Sequence, residues 1–283
     1  MKKYNVLLLA LLLMAGALNA QKYYARLGVG VGLGLSYYTD QNVDRTINSN
    51  ISDVSESKSG SIGTGLNINL AGGWMLSKYF GVELGLSEFI GFGVKTKYNM
   101  TQTGYQQQFD DKYKGMSFQI IPALVVTPGL EKLNPYGRFG LIIGVVNSTN
   151  YSYTYTQTGN LGGKATTGVE KYKDKDHGGV AIGFAAAIGA DYNLSEKLSL
   201  YAEINMNGLN YSPKKGKVVE WTLDGVDQMP SASKKDLEWE YVKKLDDQVS
   251  IPSTSPDQYL KETALLTNVG ISVGLKFRFG GSN

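Results

Sequence analysis

Residues 26–38 read RLGVGVGLGLSYY, in which Leu27, Val29, Val31, Leu33 and Leu35 are separated by Gly28, Gly30, Gly32 and Gly34. Glycine at every second position weakens a helix by about 1 kcal/mol per residue and weakens a strand interior as well. The pattern therefore needs a structural reason. A phosphate-cradling loop requires glycines at i, i+2 and i+5 between a strand and a helix, but the fifth residue after Gly28 is Leu33 and after Gly30 is Leu35. A membrane-crossing helix with glycines four apart needs roughly 20 apolar residues, and this run is too short. What remains is a strand of period two with one bulky apolar face and one nearly bare face.

The same period returns along the chain. Leu66, Ile68, Leu70 and Trp74 alternate with Asn67, Asn69, Ala71 and Gly73, and Val82, Leu84 and Leu86 alternate with Glu83, Gly85 and Ser87. Segment 116–127 is apolar with a less regular period. Phe139, Leu141, Ile143 and Val145 oppose Arg138, Gly140 and Gly144; Ile182, Phe184 and Ile188 oppose Gly183, Ala185 and Gly189. Leu198, Leu200 and Ile204 oppose Ser199, Tyr201 and Glu203, and Val269, Ile271, Val273 and Leu275 oppose Asn268, Gly270, Ser272 and Gly274. With the first segment these predict eight strands. Their connections alternate too: Ser77-Lys78-Tyr79, 128–134 and Ser195-Glu196-Lys197 are short, whereas 40–63, 97–114, 148–177 and 212–262 are long and polar. Sorting of connections by parity is the layout of a membrane barrel. The expected fold is all-β: a closed antiparallel eight-stranded transmembrane β-barrel with short periplasmic turns and long extracellular loops.

Face polarity assigns inside and outside. About eight strands enclose an interior only wide enough for side chains, so bare positions there leave room for long ones, and the large apolar residues face lipid. A closed sheet also pairs every backbone group within hydrocarbon. The inward charges are Arg26, Glu83, Arg138, Asp191, Glu203, Lys276 and Arg278. Opposite charges in a narrow interior are expected to pair, because an unpartnered buried charge costs several kcal/mol. The functional alternative is a gated passage in which Arg138 and Glu203, or Lys276 and Glu83, exchange partners. Parity over 82–94 points Glu88 at lipid, where charge is costly. Either a β-bulge or a place near an interface relieves this, and a bulge is expected.

Lys2 and Lys3 precede an apolar run over 6–13 and the small residues Ala15, Gly16, Ala17 and Ala20. That is the layout of a secretory signal peptide, expected over 1–20, with cleavage after Ala17 or Ala20 and a barrel domain over 21–283. The chain has no cysteine, which excludes a disulfide framework, thiolate chemistry and a lipid-bearing cysteine. Its 28 basic and 25 acidic residues come close to balance once Lys2 and Lys3 leave, which argues against a nucleic-acid partner.

Ser272, Gly274, Phe277 and Phe279 stand where a polar residue, a glycine and two alternating aromatics stand in the C-terminal assembly signal of bacterial outer-membrane barrels, although Gly280-Gly281-Ser282-Asn283 follow the last aromatic here. With the strand and connection pattern, the chain resembles the small OmpA/OmpX-type outer membrane β-barrel family. The resemblance implies a place in the cell outer membrane among lipid and lipopolysaccharide and insertion by the barrel-assembly machinery; with four residues after the last predicted strand, no cell-wall-binding domain is expected to follow.

Tyr23, Tyr24, Trp74, Tyr79, Phe80, Tyr192, Phe277 and Phe279 at one end, and Tyr37, Tyr38 and Tyr98 at the other, are expected to form interfacial belts. Tyr151, Tyr153 and Tyr155 extend a strand past the membrane, with an aromatic carbohydrate groove as the alternative. The only histidine, His177, lies beside Asp174 and Asp176. Hydrolysis also needs a positioned nucleophile or water, and no serine can be placed with it, so no catalytic, cofactor or metal residue is assigned. In the last connection Ser233 and Asp236 suit a capping box, and Leu237, Tyr241 and Leu245 follow at helical spacing; a short helix over the mouth is expected. Val218, Glu220, Trp221 and Leu223 are expected to extend strand seven. A returning membrane hairpin would raise the count to ten, but Lys214, Lys215 and Lys217 oppose it. The expected role is non-enzymatic: membrane support, adhesion or host contact through an extracellular ligand of the loops. The alternative is a narrow channel or specific solute transport.

Overall fold

The computed structural model describes residues 23–35, 51–56, 60–102, 105–161, 164–245 and 250–279. The expected leader and Tyr37 and Tyr38 lie outside the described residues. In chain order the strands are β1 (Tyr23–Gly34), β2 (Ile51–Glu56), β3 (Gly65–Met75), β4 (Phe80–Gly91), β5 (Val94–Gln102), β6 (Tyr105–Val126), β7 (Leu133–Leu161) and β8 (Lys164–His177). They continue with β9 (Ala181–Asn193), β10 (Leu198–Tyr211), β11 (Lys215–Leu223), β12 (Val226–Asp227), β13 (Glu238–Val242), β14 (Asp257–Leu260), β15 (Ala264–Leu265) and β16 (Asn268–Phe279). A short α-helix, α1 (Lys234–Leu237), precedes β13.

Eight strands pair antiparallel in a cycle. The order is β1–β3–β4–β6–β7–β9–β10–β16, and β16 pairs with β1 again. These are the eight segments that the period-two pattern marks. The six that do not run beyond the cycle are 11–14 residues long, enough for the roughly 9–11 residues a tilted strand needs to cross a bilayer. Both ends of the described cycle, Tyr23 and Phe279, are ladder partners and sit at the end with the short turns. Two of those turns repeat one device: Ser77 Oγ accepts from the N–H groups of Tyr79 and Phe80, and Ser195 Oγ accepts from those of Lys197 and Leu198.

The faces are inverted relative to a water-soluble sheet. Leu27, Val29, Val31 and Leu33 are 49–68 % exposed on the outside of the cycle, as are Leu84, Leu124, Phe139, Ile182, Ile204 and Ile271, while Arg26, Glu83 and Glu203 are buried within it. A continuous apolar surface of this extent is foreign to a monomer in water. The bare face has a steric cause. A Cβ on Gly28 would lie 1.9 Å from Tyr201 Oη, and one on Gly73 would lie 2.1 Å from the Tyr24 ring. These two glycines hold space for tyrosines of other strands.

Several expectations need correction. The described residues of 97–114 and 148–177, and parts of 212–262, are strands and not loops. β6 and β7, of 22 and 29 residues, run on past the cycle; at ~3.3 Å per residue β7 alone spans about 95 Å. β5 and β2 pair beside the first half of β6, and β8, β11, β13 and β14 beside the second half of β7. Val218 and Trp221 do not extend β10 but lie on β11, paired with β8 outside the cycle, so the cycle keeps eight members. Ser233 and Asp236 do form the capping box, yet the helix ends at Leu237, because Trp239 and Tyr241 fall on one face of strand β13 and enter the ladder with β11 and β14. Glu88 points outward with no bulge: β4 is in unbroken register with both neighbours. The bulge falls instead between β6 and β7 at Phe118/Gln119, where β7 leaves the apolar band and Val145 and Val146 are both exposed.

Candidate functional site

All seven inward charges meet in two clusters. Arg26 Nε and Nη2 donate to Glu83 at 3.0 and 2.9 Å, and its Nη1 donates to Glu203 at 3.1 Å. Arg138 Nη2 donates to Glu203 at 2.7 Å, with Nη1 3.6 Å from Glu83. Each carboxylate thus touches both guanidinium groups, a closed circuit of alternating charge, and bidentate contact of this kind is the strong form of the pair. Tyr24 donates to Glu83 at 2.9 Å and Tyr136 to Glu203 at 2.8 Å. In the second cluster Lys276 Nζ lies 2.8 Å from Asp191, Arg278 Nη2 lies 3.8 Å from the same oxygen, and Arg278 Nη1 donates to Ser199 Oγ at 2.7 Å. Two cations share one carboxylate there, and the surplus rests on a ring face: Lys276 Nζ is 4.1 Å from the Tyr24 centroid. Lys276 is paired with Asp191, not with Glu83.

Tyr24 is a correction to the belt reading. It is buried inside the cycle, at the same parity as Arg26, and that parity was the available signal. Tyr23 and Trp74 do stack outside, with centroids 5.8 Å apart, and Tyr79, Phe80, Tyr192 and Phe277 are exposed at the same short-turn end. Tyr98 lies on β5, beyond the cycle, paired with Phe109. Towards the other end the interior turns neutral: Asn205 donates to Ser272 Oγ at 2.7 Å and Ser117 to Asn147 at 2.6 Å. A buried apolar layer of Ile62, Phe89, Ile121, Ile142, Leu209, Tyr211 and Leu266 follows. Sequence reasoning missed this layer, although Phe89, Ile121 and Ile142 all sit at inward parity.

Above that layer the extended strands present two different faces. Ladder partners share a face, and one row runs Val94, Tyr113, Tyr151, Asp174, Val218. The next row, on the opposite face, runs Lys95, Lys112, Ser152, Lys173, Glu220. The stretch KYKDKDH of β8 therefore sends Lys171, Lys173 and Lys175 one way and Tyr172, Asp174 and Asp176 the other. His177 shares the lysine face, away from Asp174 and Asp176, and its Nδ1 is 3.4 Å from the Lys175 carbonyl.

The tyrosine and aspartate face, together with β13, β14 and residues 262–265, frames a cavity of about 670 Å³. Tyr113, Tyr151, Tyr172, Trp239, Tyr241 and Tyr259 line it, with the carboxylates of Asp111, Asp174, Asp176 and Glu262. Asp176 accepts from Trp239 Nε1 at 3.1 Å and Tyr241 Oη at 3.0 Å on one oxygen, and from Thr149 Oγ1 at 3.1 Å on the other. Burial and then the neighbouring Asp176 charge push Asp174 up to about 7. Burial raises Asp176 too, against the three donors. Among the described residues no group of histidines and carboxylates is placed to hold a metal ion. Of the predicted terminal motif, Ser272 is the buried acceptor above, Gly274 lies against the Tyr201 ring, and Phe277 and Phe279 meet edge to face at 5.2 Å.

A family model described as outer membrane protein beta-barrel domain matches residues 8–224. No curated protein matches the chain. Among solved structures, the outer membrane protein OprG from Pseudomonas aeruginosa is 12% identical, over 93% of this chain and 97% of that one, with a TM-score of 0.38. Ail, the attachment invasion locus protein of Yersinia pestis, is 12% identical over 91% and 97%, with a TM-score of 0.29. The outer membrane protease OmpT from Escherichia coli is 9% identical over 93% and 99%, with a TM-score of 0.31.

Proposed function

The chain belongs to the outer membrane protein beta-barrel domain family and resides in the outer membrane, and from that premise we propose that it is a closed, filled, eight-stranded barrel that carries a non-enzymatic surface-contact structure. The observation that supports this reading is the interior. Seven charges are cross-paired within hydrogen-bonding or ion-pair distance, and the apolar layer of Phe89, Ile142, Tyr211 and Leu266 stands above them. A filled interior suits an anchor, and the material above it, with lysines on one face and rings and carboxylates on the other, suits contact. The short turns face the periplasm, and the Ser272, Gly274, Phe277 and Phe279 strand serves as the assembly signal. The lysine face stands beside the anionic headgroups of the outer leaflet.

Two measurements test this. In planar bilayers the purified protein gives no defined single-channel conductance, and Glu203→Ala stays silent as well, because Tyr136, Arg26 and Arg138 still fill the space. A steady conductance from the parent protein favours a narrow channel instead. On intact cells an impermeant amine label reaches Lys171 and Lys173 and spares Lys78, Lys132 and Lys197 at the short-turn end. The reverse pattern overturns the orientation and, with it, the surface role.

A further inference from the structure

We propose that the cavity framed by Asp174, Asp176, Trp239, Tyr241 and Tyr259 binds an organic cation of the alkylammonium class, best a quaternary ammonium group. The proposal deepens the surface-contact reading and takes from it only that this end faces outward. Its first support is charge. Within the barrel each carboxylate has a cation at 2.7–3.1 Å. Asp174 and Asp176 have no such ion-pair partner among the described residues, His177 acting on Asp176 only through space from the opposite face, and no lysine or arginine lines the cavity, although lysines 171, 173 and 175 interleave with them in sequence. The strand period sends all three to the far face. A carboxylate pair, Asp176 buried and Asp174 half-buried, without an adjoining counter-charge is costly, and a cation from solution removes that cost.

The second support is the shape of the wall. Trp239 and Tyr241 are tilted by 56° and 54° against Tyr259, with centroids 5.8 and 6.4 Å apart. Rings at such angles leave faces free instead of spending them on each other. Ring faces attract cations, and a cage of several rings is the usual receptor for a quaternary ammonium. The donors on Asp176 are the neutral groups of Trp239, Tyr241 and Thr149; they fix its orientation and leave its charge uncancelled. A metal ion is the wrong size of answer, since the carboxylates do not converge as ligands. The volume of about 670 Å³ is that of a small-molecule site.

Calorimetry on the full protein in a maltoside detergent tests the idea with three probes. Choline represents a free solute, phosphocholine a lipid headgroup, and 3,3-dimethylbutan-1-ol has the shape of choline without its charge. Choline or phosphocholine binds in the millimolar range or tighter and at least about tenfold better than the alcohol; whichever of the two is tighter names the source. Asp176→Asn, which keeps an acceptor for Trp239 and Tyr241, and Tyr259→Leu at a half-exposed ring each weaken choline about tenfold and leave the alcohol unaffected. Heat-modifiable mobility on gels certifies folding. Equal affinity for choline and the alcohol, absence of binding by both choline and phosphocholine, or full affinity in a folded Asp176→Asn protein overturns the proposal. If Asp176→Asn does not fold, the probe comparison on the parent and the Tyr259→Leu result still decide. Because binding is measured on solubilised protein, it can fail while the surface labelling succeeds, and the reverse.

Discussion

Replacing Arg26 with leucine is expected to lower the stability of the folded barrel by about 3–5 kcal/mol, the cost of leaving a buried charge without its partner. Arg26 binds Glu83 through two nitrogens and Glu203 through a third. Without it, two carboxylates share the single guanidinium of Arg138, which is 2.7 Å from Glu203 but 3.6 Å from Glu83. Glu83→Leu does the converse damage, leaving two guanidinium groups on Glu203. The double variant Arg26→Leu/Glu83→Leu leaves Arg138 and Glu203 as a neutral pair in direct contact, with two apolar side chains filling the vacated space. It is therefore expected to be more stable than either single variant. Urea titration of folding into lipid vesicles measures the cycle, whose interaction energy isolates the pairing. Strict additivity would show that the circuit contributes packing alone and that the charges are not energetically joined.

That circuit also marks the boundary between what residues disclose one at a time and what only the cycle of paired strands discloses. Alternation placed Arg26, Glu83, Arg138 and Glu203 on the inner face, because period two needs nothing beyond the strand itself. It did not pair them. Arg26 has Ala71 and Lys276 as ladder neighbours, and its charge partners lie two or more strands away, joined across the interior by the stagger of the sheet. The long polar connections failed for a different reason. In KYKDKDH both faces are hydrophilic, so the period is present but carries no contrast of hydrophobicity to reveal it. The face becomes legible only when Tyr172, Asp174 and Asp176 are seen to share it with Trp239 and Tyr241 of β13. The last helix shows a third limit. Its cap at Ser233 depends on four residues and was readable, whereas its length depended on β11 and β14 recruiting residues 238–242 as a strand. Glu88 needs no bulge, because its parity runs unbroken through β4, and the bulge lies one strand pair away at Phe118/Gln119.

Valine at Gly28 and valine at Gly137 should have opposite consequences, although both replace glycine in strands of the same barrel. A Cβ at Gly28 meets Tyr201 Oη at 1.9 Å, its Cζ at 2.8 Å and the Val273 carbonyl oxygen at 2.9 Å. Tyr201 cannot swing clear, since Arg26 lies over its ring at 5.1 Å and Gly274 stands so close that a Cβ there would be 2.6 Å from the ring. Overpacking of a rigid interior costs about 1–3 kcal/mol and at times more. Because Gly28 also abuts backbone, Gly28→Val is expected to fall at or above the top of that range and to abolish most folding into vesicles. At Gly137 a Cβ meets nothing within 4 Å, and its face is the one that Phe139 and Leu141 present to lipid, so Gly137→Val adds apolar contact and folds as the parent does. Tyr201→Ala removes the obstacle, so adding it to Gly28→Val recovers part of the lost yield even though Tyr201→Ala alone leaves a cavity. The fraction of heat-modifiable protein on gels reads all four. Were Gly28→Val harmless and Gly137→Val disruptive, glycine would line the outside of the sheet, and the chain would have to bury its leucines and valines within it.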